Sequence, residues 1–443
     1  MPVISADTLQ LSHAVETSPG ILPASPVFHT WRTTGESLVF APQTSDSAEL
    51  GGPGRFQKPA TVTGTTISGS INFELAKFPA LEEAMAGVFA ANWGECPLTG
   101  AVGGGIDSVN DITVGKTLKT FTIEKRFPNP AFVAGTLPTA SAGSTGTQTS
   151  DVTIGAATAT GTGTVKVTVK TSTGAEATVL APINVGDDEA AVASTVAAAL
   201  TADGITATAS TNTVTIDAGA GNTIVTLTAV AGSDEFFYQR FSGVTYSALS
   251  LSVAPNQTIT GSVDIIGGVP SLDTLPLSGA TYQSAGSNPI FTSPEVMELS
   301  VGQALGVGTH CWTSLNININ SQNRGIPCIG SKGDREVVLG TLTAEVSGDV
   351  YFSDQDILDA LLNNKTIGDS VITLSDTDGN LYRWDFFDMK PTAGQVAAGG
   401  AGQDLTIPLT LQPTPVSVCE DGSGNVWESG FILSTENTAP TLP

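Results

Sequence analysis

The sequence predicts a mainly β fold: two tandem β-sandwich units, each with one flanking helix, and a small α+β module inserted in the first. Three observations lead there. The composition of the 443 residues, with 49 glycines, much threonine and serine, and only 13% charged residues, favours strands and turns over exposed helices. A half-buried strand running directly into an amphipathic helix occurs twice, over 65–89 and 339–364. Between two strands that look like hairpin partners lies a tract of different character, free of aromatic residues over 139–163.

The chain divides as follows. Residues 1–27, with Pro19, Pro23 and Pro26, read as an extended N-terminal arm. The first unit, 28–138 and 234–270, opens with a strand in ESLVFAP. A long connection over 43–59 follows, carrying Asp46, Glu49, Arg55, Phe56 and Lys58. A loop of that length inside a compact fold is usually functional or disordered. In 65–89 the residues Ile67, Ile71, Phe73 and Leu75 alternate, with Gly69 on their parity. The helix after them starts at Pro79, carries Glu82 and Glu83 near its positive end, and turns Phe78, Leu81, Met85 and Val88 inward. KTFTIEKRF then begins a hairpin whose return strand is FFYQRF, across an inserted module at 139–233 with its own strands and a helix over 188–200. Such a hairpin tip tolerates insertion because its ends are close and exposed. TYSALSLSV and TITGSVDII complete the unit.

A connector at 271–311 leads to the second unit, 312–415. WTSLNININ opens it, and a second long loop over 321–334 holds Arg324, Lys332 and Asp334 beside Arg335. In the next strand Leu342, Ala344, Val346, Val350 and Phe352 share one parity with Gly348. Ser353 and Asp356 form the pattern of a capping box, and Ile357, Leu358, Leu361 and Leu362 make the apolar helix face. VITLSDTDGNLYRWDFF is a hairpin turning at Asp378-Gly379, and DLTIPLTLQ closes the unit before a C-terminal tail at 416–443. Tyr238, Arg240 and Phe241 correspond on this reading to Tyr382, Arg383 and Trp384. Pairing TSLNININ with SALSLSV instead stays open.

Chemistry is sparse. His13, His29 and His310 are too separated in sequence to suggest a metal cluster or dyad, and Cys96, Cys311, Cys328 and Cys419 form no CxxC pair. Gly115-Lys116-Thr117 lacks the rest of a phosphate loop. Asp376, Asp378 and Asn380 are spaced as in a calcium loop, yet no bidentate glutamate follows, and Asp-Gly already accounts for a turn. No catalytic, cofactor-binding or metal residue is expected. A net charge of −25 argues against binding nucleic acid or an anionic membrane. The start MPVISADTLQ lacks the pattern of a signal peptide, and no apolar run is long enough to cross a bilayer, so a soluble protein made in the cytoplasm is expected.

The repeated order of strand, long loop, strand, helix, hairpin and closing strand resembles the tail tube proteins of long-tailed bacteriophages, above all in VFHTWRTTGESLVFAP and GTTISGSINFELAKF. The resemblance implies a β-sandwich with a flanking helix whose strands join those of neighbouring subunits into an inner barrel. It implies homotrimeric rings with pseudo-sixfold symmetry, stacked into a tube in the virion and assembled in the host cytoplasm. Tape measure and tail-end proteins are the implied partners, and DNA passes through the lumen without specific binding. The long loops are then expected to reach the next ring, which makes Asp46, Glu49, Arg55, Phe56, Lys58, Arg324, Lys332, Asp334 and Arg335 candidates for stacking. Two alternatives stand beside this reading. A β-rich surface or adhesion protein would usually carry a signal peptide. A carbohydrate-active β-sandwich enzyme would need a paired acid and base in a cleft.

Overall fold

The computed structural model describes residues 4–46, 60–94, 109–301, 311–330, 333–352, 355–396, 404–420 and 426–436. The fold is mainly β, with three α-helices among these residues: α1 (Pro79–Phe89), α2 (Glu189–Ala202) and α3 (Asp356–Leu362). The chain falls into a smaller unit, 1–11 with 124–240 and 271–280, and a larger one, 12–123 with 241–270 and 281–443.

The smaller unit carries the inserted α+β module. A three-stranded sheet (Glu176–Ile183, Gly163–Thr171, Ile224–Ser233) and a four-stranded sheet (Thr206–Ser210, Thr213–Asp217, Thr149–Ile154, Ala140–Ala142) share one core with α2. Every second residue of Glu176–Ile183 is buried, and the other face is wet. Val192, Val196 and Leu200 of α2 fill the interior, and Asp188 caps the helix by accepting from the Ala191 N–H at 2.8 Å. The Asn129 N–H donates to the Glu235 carbonyl at 2.8 Å, which draws the two ends of the module together.

The larger unit holds both β-sandwich repeats, the first return strand from Phe241 onward. In each, a first strand pairs with a long strand, the long strand with a closing strand, and the closing strand with a return strand. These are Thr33–Glu36 with Val39–Ser45, Thr61–Glu74, Thr260–Ile266 and the return strand Phe236–Val253 in the first repeat. In the second they are Leu315–Asn320, Thr343–Tyr351, Thr406–Gln412 and the split return strand Leu381–Phe386 with Lys390–Ala393. The registers agree position by position. Ile71 lies opposite Val263 as Gly348 lies opposite Leu409, and Asn72 opposite Ser262 as Asp349 opposite Pro408.

Two half-sheets become one because the first return strand pairs antiparallel with the second first strand, Leu249 opposite Ile319 and Leu251 opposite Ile317. Inward residues such as Ile71, Phe73, Val263, Leu249, Ile317 and Val346 form the core face. Glycine at two places lets backbones approach: a Cβ on Gly69 would lie 2.5 Å from the Ser37 carbonyl, and one on Gly348 2.0 Å from that of Ser314.

A second sheet, Val296–Ser300, Ser370–Ser375, Leu381–Phe386, Phe431–Glu436 and Val109–Ile112, packs its aromatics against α1, with Phe89 at 6.1 Å from Trp384 and 5.3 Å from Phe431. Trp31 meets Phe78, the N-cap of α1, at 5.7 Å. Covered in this way, α1 is buried from Ala80 to Phe89, Glu82 and Glu83 included, and has no wet face. This corrects the expectation of one inward stripe.

Other expectations are also revised. α3 begins at Asp356 after Gln355, which makes no side-chain cap bond, and Ser353 of the expected capping box lies outside the described residues. Ile357 is inward, but Leu362 is 85% exposed because the helix ends there. The stretch read as an N-terminal arm contributes the strand Gln10–Val15, and the C-terminal one the strand Phe431–Glu436, whose Phe431 and Leu433 are fully buried. The return strands align differently as well. Left-handed backbone at Gly243 (φ 75°) and Asp388 (φ 42°) fixes the correspondence, so Arg240 matches Asp385 and Tyr238 matches Arg383.

Candidate assembly surface

Strand parity determines what the continuous sheet shows on its outer face. The side chains of Asn72, Ser250, Ser262, Asn316, Asn318 and Ser347 line a shallow trough there. The acids Glu74, Asp264, Glu345 and Asp349 share that parity, and no lysine or arginine occurs in the paired segments 61–74, 260–266, 245–253, 315–320, 343–351 and 406–412 between the two edge strands. Partial burial holds the Asp264 carboxyl above its ordinary range. Between the edge strands, hydroxyls, amides and carboxylates therefore make a surface without a cation for phosphate, and Lys390, opposite Gln412, stands at one margin.

Both ends of this sheet are open. Among the described residues no strand pairs with the outer side of Val39–Ser45, nor with that of Lys390–Ala393. An unpaired edge of this kind is a template for another strand. Val39 and Phe40 on the first edge are apolar side chains 51% and 41% exposed.

Two hairpins carry the residues expected to stack. Val39–Ser45 and Thr61–Glu74 form the stem of the first, and Asp46 is exposed at its end. Glu49, Arg55, Phe56 and Lys58 lie outside the described residues. The second hairpin pairs Arg324–Pro327 with Asp334–Val338, so the loop expected over 321–334 contains one strand and runs into another at Asp334. Arg324 is exposed opposite Val338, Asp334 is half-buried opposite Pro327, Arg335 is in the second strand, and Lys332 lies outside the described residues. Ile329 near the tip is fully exposed, an apolar side chain that the charge-based reading of this loop passed over.

Behind the sheet lies a buried charge centre that the wide spacing of the histidines in sequence concealed. Pairing of Gln10–Val15 with Val27–Thr30 sets His13 directly opposite His29, and α1 places Glu83 against both. Glu83 Oε2 accepts from His13 Nε2 at 2.7 Å and from His29 Nδ1 at 2.8 Å. The Trp31 indole N–H donates to His13 Nδ1 at 3.0 Å, and the Tyr246 hydroxyl lies 2.6 Å from the same atom. An indole can only donate, so Nδ1 keeps its lone pair and the proton of His13 sits on Nε2. Burial lowers the His13 pKa, in keeping with a neutral ring. For His29 burial also works against charge, but Glu83 prevails and the pKa rises. Burial likewise opposes ionisation of Glu83, yet the two histidine bonds hold it at about 2. His13, His29 and Glu83 offer three ligand atoms within 4.8 Å, but a cation there would have to displace the His13 proton while Trp31 keeps Nδ1 as acceptor. Glu82, the neighbour of Glu83, has the opposite environment: burial pushes its carboxyl up to about 7, and Oε1 has no hydrogen-bond partner among the described residues.

Asp376 is likewise occupied by its own turn, Oδ1 accepting from the N–H groups of Asp378 and Asn380 at 2.9 Å each. This leaves the spacing of Asp376, Asp378 and Asn380 explained by a hairpin.

Residues 218–413 match the family model described as phage tail tube protein. Over this region the chain is similar to the phage tail tube family. The tail tube region takes in the first repeat's return and closing strands and the whole second repeat, ending just after the closing strand Thr406–Gln412. Its boundaries therefore include the junction between the two half-sheets. No curated protein matches the chain.

Proposed function

We propose that this chain is the repeating subunit of a phage tail tube, associating into trimeric rings that stack into a conduit for DNA. The observation that carries the reading is the run of strands from Val39–Ser45 to Lys390–Ala393, built of two joined repeats, whose two outer strands are unpaired on one side among the described residues. Closing such a sheet with further copies removes both edges, and two repeats per chain give six around a trimeric ring. The outer face, free of lysine and arginine between its edge strands, in a chain of net charge −25, suits a channel wall along which phosphate slides. No catalytic step is part of this role. Tape measure and tail-end proteins would meet the tube at its ends.

Stacking is assigned to the two hairpins, through Asp46, Glu49, Arg55, Phe56 and Lys58 on one and Arg324, Lys332, Asp334 and Arg335 on the other. Such partly exposed pairs weaken with salt. Negative-stain imaging of purified protein tests the proposal: stacked rings or tubes are expected, and single globules at all concentrations would refute it. In the same images, a variant with Arg324, Lys332 and Arg335 all changed to glutamate is expected to give rings that fail to stack in low salt.

A further inference from the structure

The two repeats share their irregularities as well as their order. The first return strand bulges between Tyr246 and Ala248 against its closing strand, and the second between Pro391 and Ala393. Left-handed backbone precedes each bulge at the same distance, at Gly243 and Asp388. The first strand slips between Thr33 and Gly35, and the other repeat has the same slip between Trp312, opposite Val350, and Asn316, opposite Ser347. The Leu75 N–H donates to the Ile259 carbonyl as the Phe352 N–H donates to that of Leu405. Bulges are built features of a sheet, and these place the repeats in register residue by residue. Ala248 and Ser250 correspond to Ala393 and Gln395, and Asn318, Ile319 and Asn320 to Val39, Phe40 and Ala41.

Inside the chain, Ala248 lies opposite Asn320, Leu249 opposite Ile319 and Ser250 opposite Asn318. The same two strand types stand open at the ends of the sheet. We propose that a second copy of the chain repeats this join in the same register, with Ala393 opposite Ala41 of the next copy, Gly394 opposite Phe40 and Gln395 opposite Val39. Exposure supports it: Ile319, which has its neighbour, is 1% exposed, whereas its counterpart Phe40 is 41% exposed. The occupant is this chain itself, because the complementary strand for each open edge already exists at the other end of the same sheet. The inference rests on the tube reading and adds to it the strands, direction and register of the contact.

Directly opposed antiparallel residues have Cα atoms about 4.5–5.5 Å apart, within the span of a disulfide. The test therefore uses the full-length chain carrying Ala41→Cys and Ala393→Cys, oxidised after assembly and run on a denaturing gel. A ladder of covalent dimers and trimers that thiol collapses is expected. Each single variant, and the pair Phe40→Cys with Ala393→Cys on opposite faces, should give none. Should the first pair not fold, Val39→Cys with Gln395→Cys reads the same register. Rings or tubes in the microscope with no ladder from either pair would overturn the register and leave the tube reading standing. The absence of both rings and ladder would overturn the two together.

Discussion

Ile319 and Phe40 occupy the same position in the two repeats and differ in one respect, that Ile319 has a strand beside it. The first is buried and the second exposed. On the proposed join, the apolar side chains on the open edge belong to a core that another strand completes. The helices differ in the same instructive way. Met85 of α1 is fully buried, and Leu362 at the matching place in α3 is 85% exposed. Glu82 is sealed inside, while its counterpart Asp359 is exposed and paired with Lys365 at 2.8 Å. α1 is enclosed because the aromatic sheet of Trp384 and Phe431 covers it.

Charging the two first strands sharpens this contrast most. Ile319→Asp buries an unpaired carboxylate in a packed core, which exceeds what a domain of ordinary stability withstands, about 5–15 kcal/mol in total. Loss of soluble folded protein is expected. Phe40→Asp should leave the circular dichroism spectrum and melting unchanged and hold the protein as a single chain in size exclusion. Equal damage to folding by both changes would show that Phe40 already belongs to a closed core.

The paired acids of α1 give the next largest effects, with opposite signs. Glu83 is held at about 2, below the usual carboxylate range, so its stabilisation is present at neutral pH and is lost as pH falls toward 2. Glu83→Gln is expected to lower unfolding free energy at pH 7 by about 3 kcal/mol in urea titration. Glu82 is raised to about 7, so the unfolded chain releases its proton first and stability declines as pH rises from the carboxylate range to 7. Glu82→Gln should therefore stabilise at pH 8 by up to about 3 kcal/mol and change little at pH 4. A gain that persists at pH 4 would assign the effect to packing. In the second repeat, Asp359→Asn should leave stability within experimental error of the parent, since that pair is solvated.

Local patterns were the legible part of this fold. The alternation around Ile71 and Val346, the turn at Asp378-Gly379 and the Asp188 cap of α2 all lie within a few residues of what they organise. The charge centre was hidden because its contacts come from strand pairing across the 13–29 interval and from a helix far along the chain. The burial of α1 depends on Phe431, nearly the whole chain away. The return strands were misaligned because the arginine signal draws Arg240 toward Arg383, while the feature that sets the register is a backbone kink carried by glycine in one repeat and aspartate in the other.

On the proposed assembly, the join inside one chain is repeated between chains until the sheet closes. Native mass spectrometry of isolated rings tests it most directly. Three chains per ring, supplying six repeats, is the expected mass. Six chains per ring would mean that the two repeats of a chain do not both serve as ring positions, and would contradict the account.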